Sequence, residues 1–273
     1  MSDLPIHQVL PQLLAALDRV DSVVLQAPAG AGKTTGVPVQ LLNARWLADG
    51  QKILMLEPRR LAARAAAERM AQVLGEAVGK TVGYRVRLDK KISAETRIEV
   101  VTEGILTRQL HNDPALEDVA LVIFDEFHER SLDADLGLAL CLQGREIFAD
   151  LRERPLKILV MSATLDGVKV SELLDDAPIV SSEGRMFPVA VRYGDPLRFG
   201  ERIAERVAAT TRQALREQHG SVLVFLPGQG EIRQAHQHLL SWLESEPEAI
   251  SSSVLLKSSL TYSSAMICSC VCS

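Results

Sequence analysis

Six short apolar runs punctuate the chain: Val23–Gln26, Lys52–Glu57, Arg97–Thr102, Val119–Asp125, Lys157–Met161 and Ser221–Leu226. Each is rich in Val, Ile and Leu, and none alternates with polar residues. A strand buried on both faces reads this way, which predicts a parallel sheet covered by helices. Between the runs lie helical patterns at Leu61–Leu74, Leu132–Phe148 and Ile203–Gln218. Repeated strand–helix units predict a doubly wound α/β fold with helices on both faces of the sheet. Ligands in such folds sit at the carboxyl ends of the strands, so the residues just after each run are the ones to read for chemistry.

The first run passes into Ala27-Pro28-Ala29-Gly30-Ala31-Gly32-Lys33-Thr34-Thr35. This matches the phosphate-loop pattern G-x-x-x-x-G-K-[ST] except that Ala27 stands at the first glycine. A loop of this kind turns backbone N–H groups toward phosphate oxygens at a helix N-terminus. Residues Ala29 to Thr35 are therefore the candidate nucleotide-binding loop, with Lys33 for the β- and γ-phosphates and Thr34 for magnesium. The fourth run ends in Asp125-Glu126-Phe127-His128-Glu129-Arg130. Adjacent carboxylates at a strand end suit Asp125 to the metal and Glu126 to the attacking water as general base. The residues alone leave three readings open: a nucleic-acid-driven ATPase, another P-loop enzyme such as a small-molecule kinase, and a nucleic-acid binder with a relic ATP site.

Composition narrows this only in part. The 273 residues carry 30 Lys+Arg and 35 Asp+Glu, a formal charge of −5. Residues 52–97, however, hold eleven Lys/Arg against five Asp/Glu, a local balance of +6. A basic segment inside an acidic protein suits sequence-independent binding to a phosphate backbone. The aromatic fraction is 4%, which disfavours recognition by base stacking. The longest apolar runs fall well short of the ~18 residues of a membrane span, and no export signal is visible. A cytoplasmic location is expected. Arg64 and Arg69, on a helix with Ala neighbours, read as solvated helix positions, with stacking on an adenine ring as the alternative.

The order of motifs resembles the DEAH-box helicases of superfamily 2. Beyond the phosphate loop, the segments carrying the resemblance are Glu57-Pro58-Arg59-Arg60-Leu61-Ala62-Ala63, Val82-Gly83-Tyr84-Arg85-Val86-Arg87, Thr102-Glu103-Gly104-Ile105-Leu106-Thr107-Arg108, Asp125–His128 with Phe127 in place of Ala, Ser162-Ala163-Thr164, and Phe225–Ile232. Their wording is most like the bacterial HrpB group, over about residues 5–245. The resemblance implies a P-loop NTPase of RecA-like type, using ATP and Mg2+, with Lys33, Asp125 and Glu126 catalytic. It implies that Arg59, Arg60, Thr102 and Gly104, and more weakly Arg85, contact the backbone of single-stranded RNA or DNA. It implies that His128, Ser162 and Thr164 couple hydrolysis to strand movement. A monomer is expected.

On this reading residues 1–180 form the ATP-binding domain and residues 181–250 the linker and start of a second, incomplete RecA-like domain. The arginine-rich Q-R-x-G-R-x-G-R segment of such helicases does not occur in the sequence. The chain is therefore expected to bind Mg-ATP, to hydrolyse it weakly and not to unwind a duplex alone. Residues 251–273, with nine Ser and with Cys268, Cys270 and Cys272, are expected as an aberrant or disordered tail, such as a frameshifted end.

Overall fold

The computed structural model describes residues 4–163, 167–184, 189–218, 221–245, 253–258 and 265–271. The chain divides into two compact units, residues 1–188 and 189–273.

The first unit is built on an eight-stranded sheet. Its strands are β1 (Ser22–Gln26), β2 (Lys52–Leu56), β3 (Val82–Val86), β4 (Asp89–Lys91), β5 (Ile98–Val101), β6 (Val119–Phe124), β7 (Lys157–Ser162) and β8 (Ile179–Ser181). The order is β4-β3-β5-β2-β6-β7-β1-β8, and every pairing is parallel except β3–β4. The five apolar runs of this unit are strands to within two residues of the expected bounds. Their successive side chains enter opposite cores. Val23 and Leu25 meet α1 (Ile6–Arg19), α2 (Lys33–Leu41) and α3 (Arg60–Val73). On the other face Val24, Leu54 and Phe124 meet α4 (Glu103–Asn112), α5 (Leu132–Ile147) and α6 (Gly167–Leu173). Two-sided burial is thus the reason these strands lack polar alternation.

Strands β3 and β4 form a hairpin whose close approach requires a glycine. A Cβ at Gly83 would lie 2.4 Å from the Lys91 carbonyl oxygen. β8 pairs with β1 and closes the far edge. Among the described residues, no helix is long and apolar enough to cross a membrane.

The second unit contains α7 (Ile203–Glu217), β9 (Ser221–Phe225) and α8 (Gln229–Ser245). Ala204, Ala208, Leu215, Ile232, Ala235, Leu239 and Trp242 form its core. Here the expectation of a strand buried on both faces fails: Leu223 and Phe225 are 53% and 69% exposed. Helices α7 and α8 pack against one face of β9, and among the described residues nothing covers the other. Within the stretch expected as a tail, β10 (Ser253–Ser258) and β11 (Ala265–Val271) run as strands. β11 pairs antiparallel with β9, and β10 antiparallel with β11.

Candidate nucleotide site and adjoining basic groove

Five parallel strands, β1, β2, β5, β6 and β7, deliver their following residues to one edge of the sheet. The phosphate loop leaves β1 with the Ala27 amide donating to the Ser162 carbonyl at 3.0 Å. Gly30 and Gly32 turn through φ of +79° and +92°, a backbone region favourable to glycine. Gly32 then serves as the N-cap of α2. The loop is backed by the amino-terminal segment. A Cβ at Gly32 would sit 2.8 Å from Leu4, and the Ile6 amide donates to the Ala31 carbonyl at 3.1 Å. Ala27, the departure from the phosphate-loop pattern, is fully buried and has no positive φ. Glycine's conformational freedom is not used at that position.

Lys33 and Glu126 meet directly. Lys33 is 3% exposed, and its Nζ donates to Glu126 Oε1 at 2.8 Å. Asp125 is buried. Its amide donates to the Leu56 carbonyl at 3.0 Å, and its Oδ1 accepts from the Glu126 amide at 2.8 Å. Its Oδ2 is buried with no hydrogen-bond partner among the described residues. Burial raises the Asp125 pKa to about 6, opposed by a hydrogen bond from the Thr34 hydroxyl. An orphaned carboxylate oxygen beside a hydroxyl fits a hard divalent cation, which prefers oxygen ligands. Thr34 and Asp125 are thus together at one place, as the sequence suggested.

Glu126 has a left-handed backbone, φ +49°, rare outside glycine and asparagine. It opens a 3-10 turn at Phe127–Glu129, and Arg130 closes that turn with φ +50°. Phe127, which replaces the family alanine, is 3% exposed and packs edge-on to Phe124, their centroids 6.1 Å apart. His128 Nδ1 lies 3.4 Å from Glu126 Oε2 and 3.4 Å from the Ala163 amide nitrogen. That nitrogen can accept from Ala163 when neutral or donate to Glu126 when protonated, but not both. The turn after β6 and the Ser162–Ala163 segment after β7 are therefore in contact through His128. Ser162 is buried in β7. Thr164 lies outside the described residues.

Two carboxylates near this site were not singled out by the sequence. Glu57, at the end of β2, is 5% exposed. Its pKa rises to about 8, first through burial and then through repulsion by Asp125, Glu126 and Glu129, with Arg59 opposing. Glu129 accepts from Arg59 Nη2 at 2.8 Å. The signal available in the sequence was position alone: each stands at or just beyond the end of a buried strand.

The nucleic-acid candidates divide. Arg60, Arg85, Thr102 and Gly104 line one groove of about 900 Å3, joined by Arg87, Lys90 and Arg108. Space beside the Gly104 Cα is open. Arg59 stands outside this set and holds Glu129. Arg85 reaches the groove but also donates to buried Glu99 Oε1 at 2.7 Å. Arg64 differs from the solvated position expected of it. It pairs with Asp89 and stacks on the Tyr84 ring, 5.7 Å from the centroid. Arg69 is exposed and donates to its helix neighbour Gln72 at 2.7 Å.

Comparison with known proteins agrees with this geometry. The family model for "DEAD/DEAH box helicase" matches residues 7–173. The chain is 51% identical over 246 residues to the Escherichia coli ATP-dependent RNA helicase HrpB, covering 90% of this chain and 30% of that protein. It is 34% identical over 229 residues to the human ATP-dependent RNA helicase DHX33, covering 84% of this chain and 32% of that one. A crystal structure of the E. coli DEAH/RHA helicase HrpB superposes with a TM-score of 0.81 at 49% identity, over 95% of this chain and 32% of that chain. The chain thus spans under a third of the length of these relatives. Since the matched span holds every strand end from the phosphate loop to Ser162, the chain belongs to the DEAD/DEAH box helicase family.

Proposed function

We propose that the chain binds Mg-ATP at the Lys33–Asp125–Glu126 site and hydrolyses it in response to single-stranded RNA or DNA held through its backbone. One observation carries the reading: Lys33 is paired with Glu126 beside a buried Asp125 oxygen that has no hydrogen-bond partner among the described residues. In the resting site the ammonium and the prospective base neutralise each other. A triphosphate offers Lys33 a more highly charged acceptor, and Lys33 moves to it. Glu126 is then left as a free carboxylate able to take a proton from water. Thr34 and Asp125 would hold magnesium, which neutralises charge on the phosphate oxygens when bound. The groove of Arg60, Arg85, Thr102 and Gly104 supports backbone contact, because its five cationic side chains, Arg87, Lys90 and Arg108 included, outnumber its one acid, Asp89, and no aromatic ring lines it. The relatives' names, ATP-dependent RNA helicase, favour RNA as the strand. A cytoplasmic location and a monomeric state belong to the same proposal.

The test is a fluorescent ATP analogue titrated onto the chain, followed by ATPase measurement with and without poly(U). Analogue binding that requires Lys33, and turnover that rises with poly(U), support the proposal. Turnover indifferent to poly(U) would point to a P-loop enzyme of another kind.

A further inference from the structure

We infer that Glu129 is a positioning residue: it occupies Arg59 in the place of a backbone phosphate, and the exchange is transmitted to Glu126 through the turn between them. This rests on the proposed nucleic-acid role of Arg59. The Arg59 guanidinium donates to Glu129 Oε1 at 2.8 Å, and the Arg59 side chain is 72% exposed. A solvated arginine held by one carboxylate is open to exchange, because such pairs are weak and a phosphate competes well for the guanidinium.

The consequence of exchange is set by the turn. Glu129's own amide donates to the Glu126 carbonyl at 2.9 Å. The turn is anchored at two points. Phe127 is packed against Phe124, while Arg130 pairs with Asp135 at 3.0 Å and lies over the Phe127 ring. Both residues bracketing the turn have left-handed backbone, a conformation that persists only while surrounding contacts hold it. Arg59 supplies one of those contacts through Glu129. A strand phosphate that takes Arg59 removes it, one hydrogen bond away from the backbone carbonyl of Glu126, the residue whose carboxylate holds Lys33. The phosphate contact and the nucleotide pocket are thereby linked through 3 residues of backbone.

The experiment measures labelled oligouridylate binding to the full chain as wild type, Arg59→Ala, Glu129→Gln, the double variant, and Asp133→Asn. Asp133 is an exposed acid nearby and controls for net charge. Glu129→Gln is expected to tighten binding about threefold with Arg59 present and to have no effect with Arg59→Ala. Asp133→Asn is expected to leave binding unchanged. A second readout is the affinity for a fluorescent ATP analogue. Saturating oligouridylate should shift it in the wild type, and Glu129→Gln without oligouridylate should reproduce most of that shift. Glu129→Asp, which keeps the charge but withdraws it by one methylene, should show the same effects more weakly and serves if Glu129→Gln fails to fold. Equal tightening in the Arg59→Ala background, or an analogue affinity indifferent to residue 129, overturns the inference while leaving the phosphate contact intact. If Arg59→Ala itself fails to weaken oligouridylate binding, it is the proposed role of Arg59 that falls.

Discussion

At the phosphate loop, Lys33 sits 2.8 Å from Glu126 with a side chain 3% exposed; on the other side of the same turn, Arg59 sits 2.8 Å from Glu129 with a side chain 72% exposed. The distances are equal and the environments are not. A buried cation needs its partner, because taking it from water without one is costly. An exposed one is already solvated, and its pairing is worth ~0–1 kcal/mol. The same contact is therefore structural at one end of the turn and exchangeable at the other. Arg85 lies between these limits, being part-exposed while its partner Glu99 is 3% exposed.

The largest expected break in this comparison is Lys33→Ala. Nucleotide-analogue affinity should fall by about 100-fold or more, since the proposed site loses the buried cation that would face the triphosphate. A fluorescence titration checks it, and a loss below tenfold would mean that Lys33 does not face the phosphates. Next comes Arg85→Ala. Among the described residues it leaves buried Glu99 with Lys52 alone as an ion-pair partner, 3.6 Å away, and should destabilise the fold by about 2 kcal/mol in urea unfolding. Unfolding free energy equal to wild type would place Arg85 with Arg59 as an exchangeable group.

Glu57 gives a pH test of burial at the same edge. Its carboxyl keeps its proton in the folded state to about pH 8, whereas the unfolded chain releases it near 4.5. The folded state then binds more protons across that window, so Glu57 lowers stability progressively as pH rises through it. Glu57→Gln should melt above the wild type, with an advantage that grows from pH 5 to pH 8 and then levels off. An advantage independent of pH would show the carboxyl to be ionised throughout. The smallest effect belongs to Arg59→Ala. Stability should change by less than about 0.5 kcal/mol, while the slope of log affinity for oligouridylate against log salt should fall by about 0.7. Thermal melts and a salt series separate the two.

The buried end of the molecule was largely legible in the sequence. Runs such as Val119–Phe124 declare a strand covered on both sides, because nothing polar interrupts them. Their carboxyl ends follow directly, so the placement of Lys33, Thr34, Asp125 and Glu126 at one edge of the sheet could be expected before any fold was known. Strands without such a run were hidden from periodicity. β4 is Asp-Lys-Lys, β8 is three residues, and β3 is broken by Gly83, so that only the family resemblance marked it. Ser221–Leu226 misled in the other direction, because an apolar run states an appetite for cover and not that both covers exist. The pairing of Arg59 with Glu129 spans 70 residues and leaves no local pattern. Arg64 likewise looked solvated because its partner Asp89 lies on another element, at the start of β4. Exposed charges choose partners by tertiary neighbourhood, which spacing along the chain does not encode.

The packing of Leu4 and Ile6 on Gly32 has a bearing on where this domain begins in practice. A domain trimmed to start at β1 would retain every recognisable motif and lose the wall behind the phosphate loop. In such a trimmed form the Gly32–Gly36 amides would exchange with solvent faster, and nucleotide would have to order the loop as it bound. Leu4 and the first turn of α1, which carry no motif, thus act as a brace that keeps the glycine loop assembled.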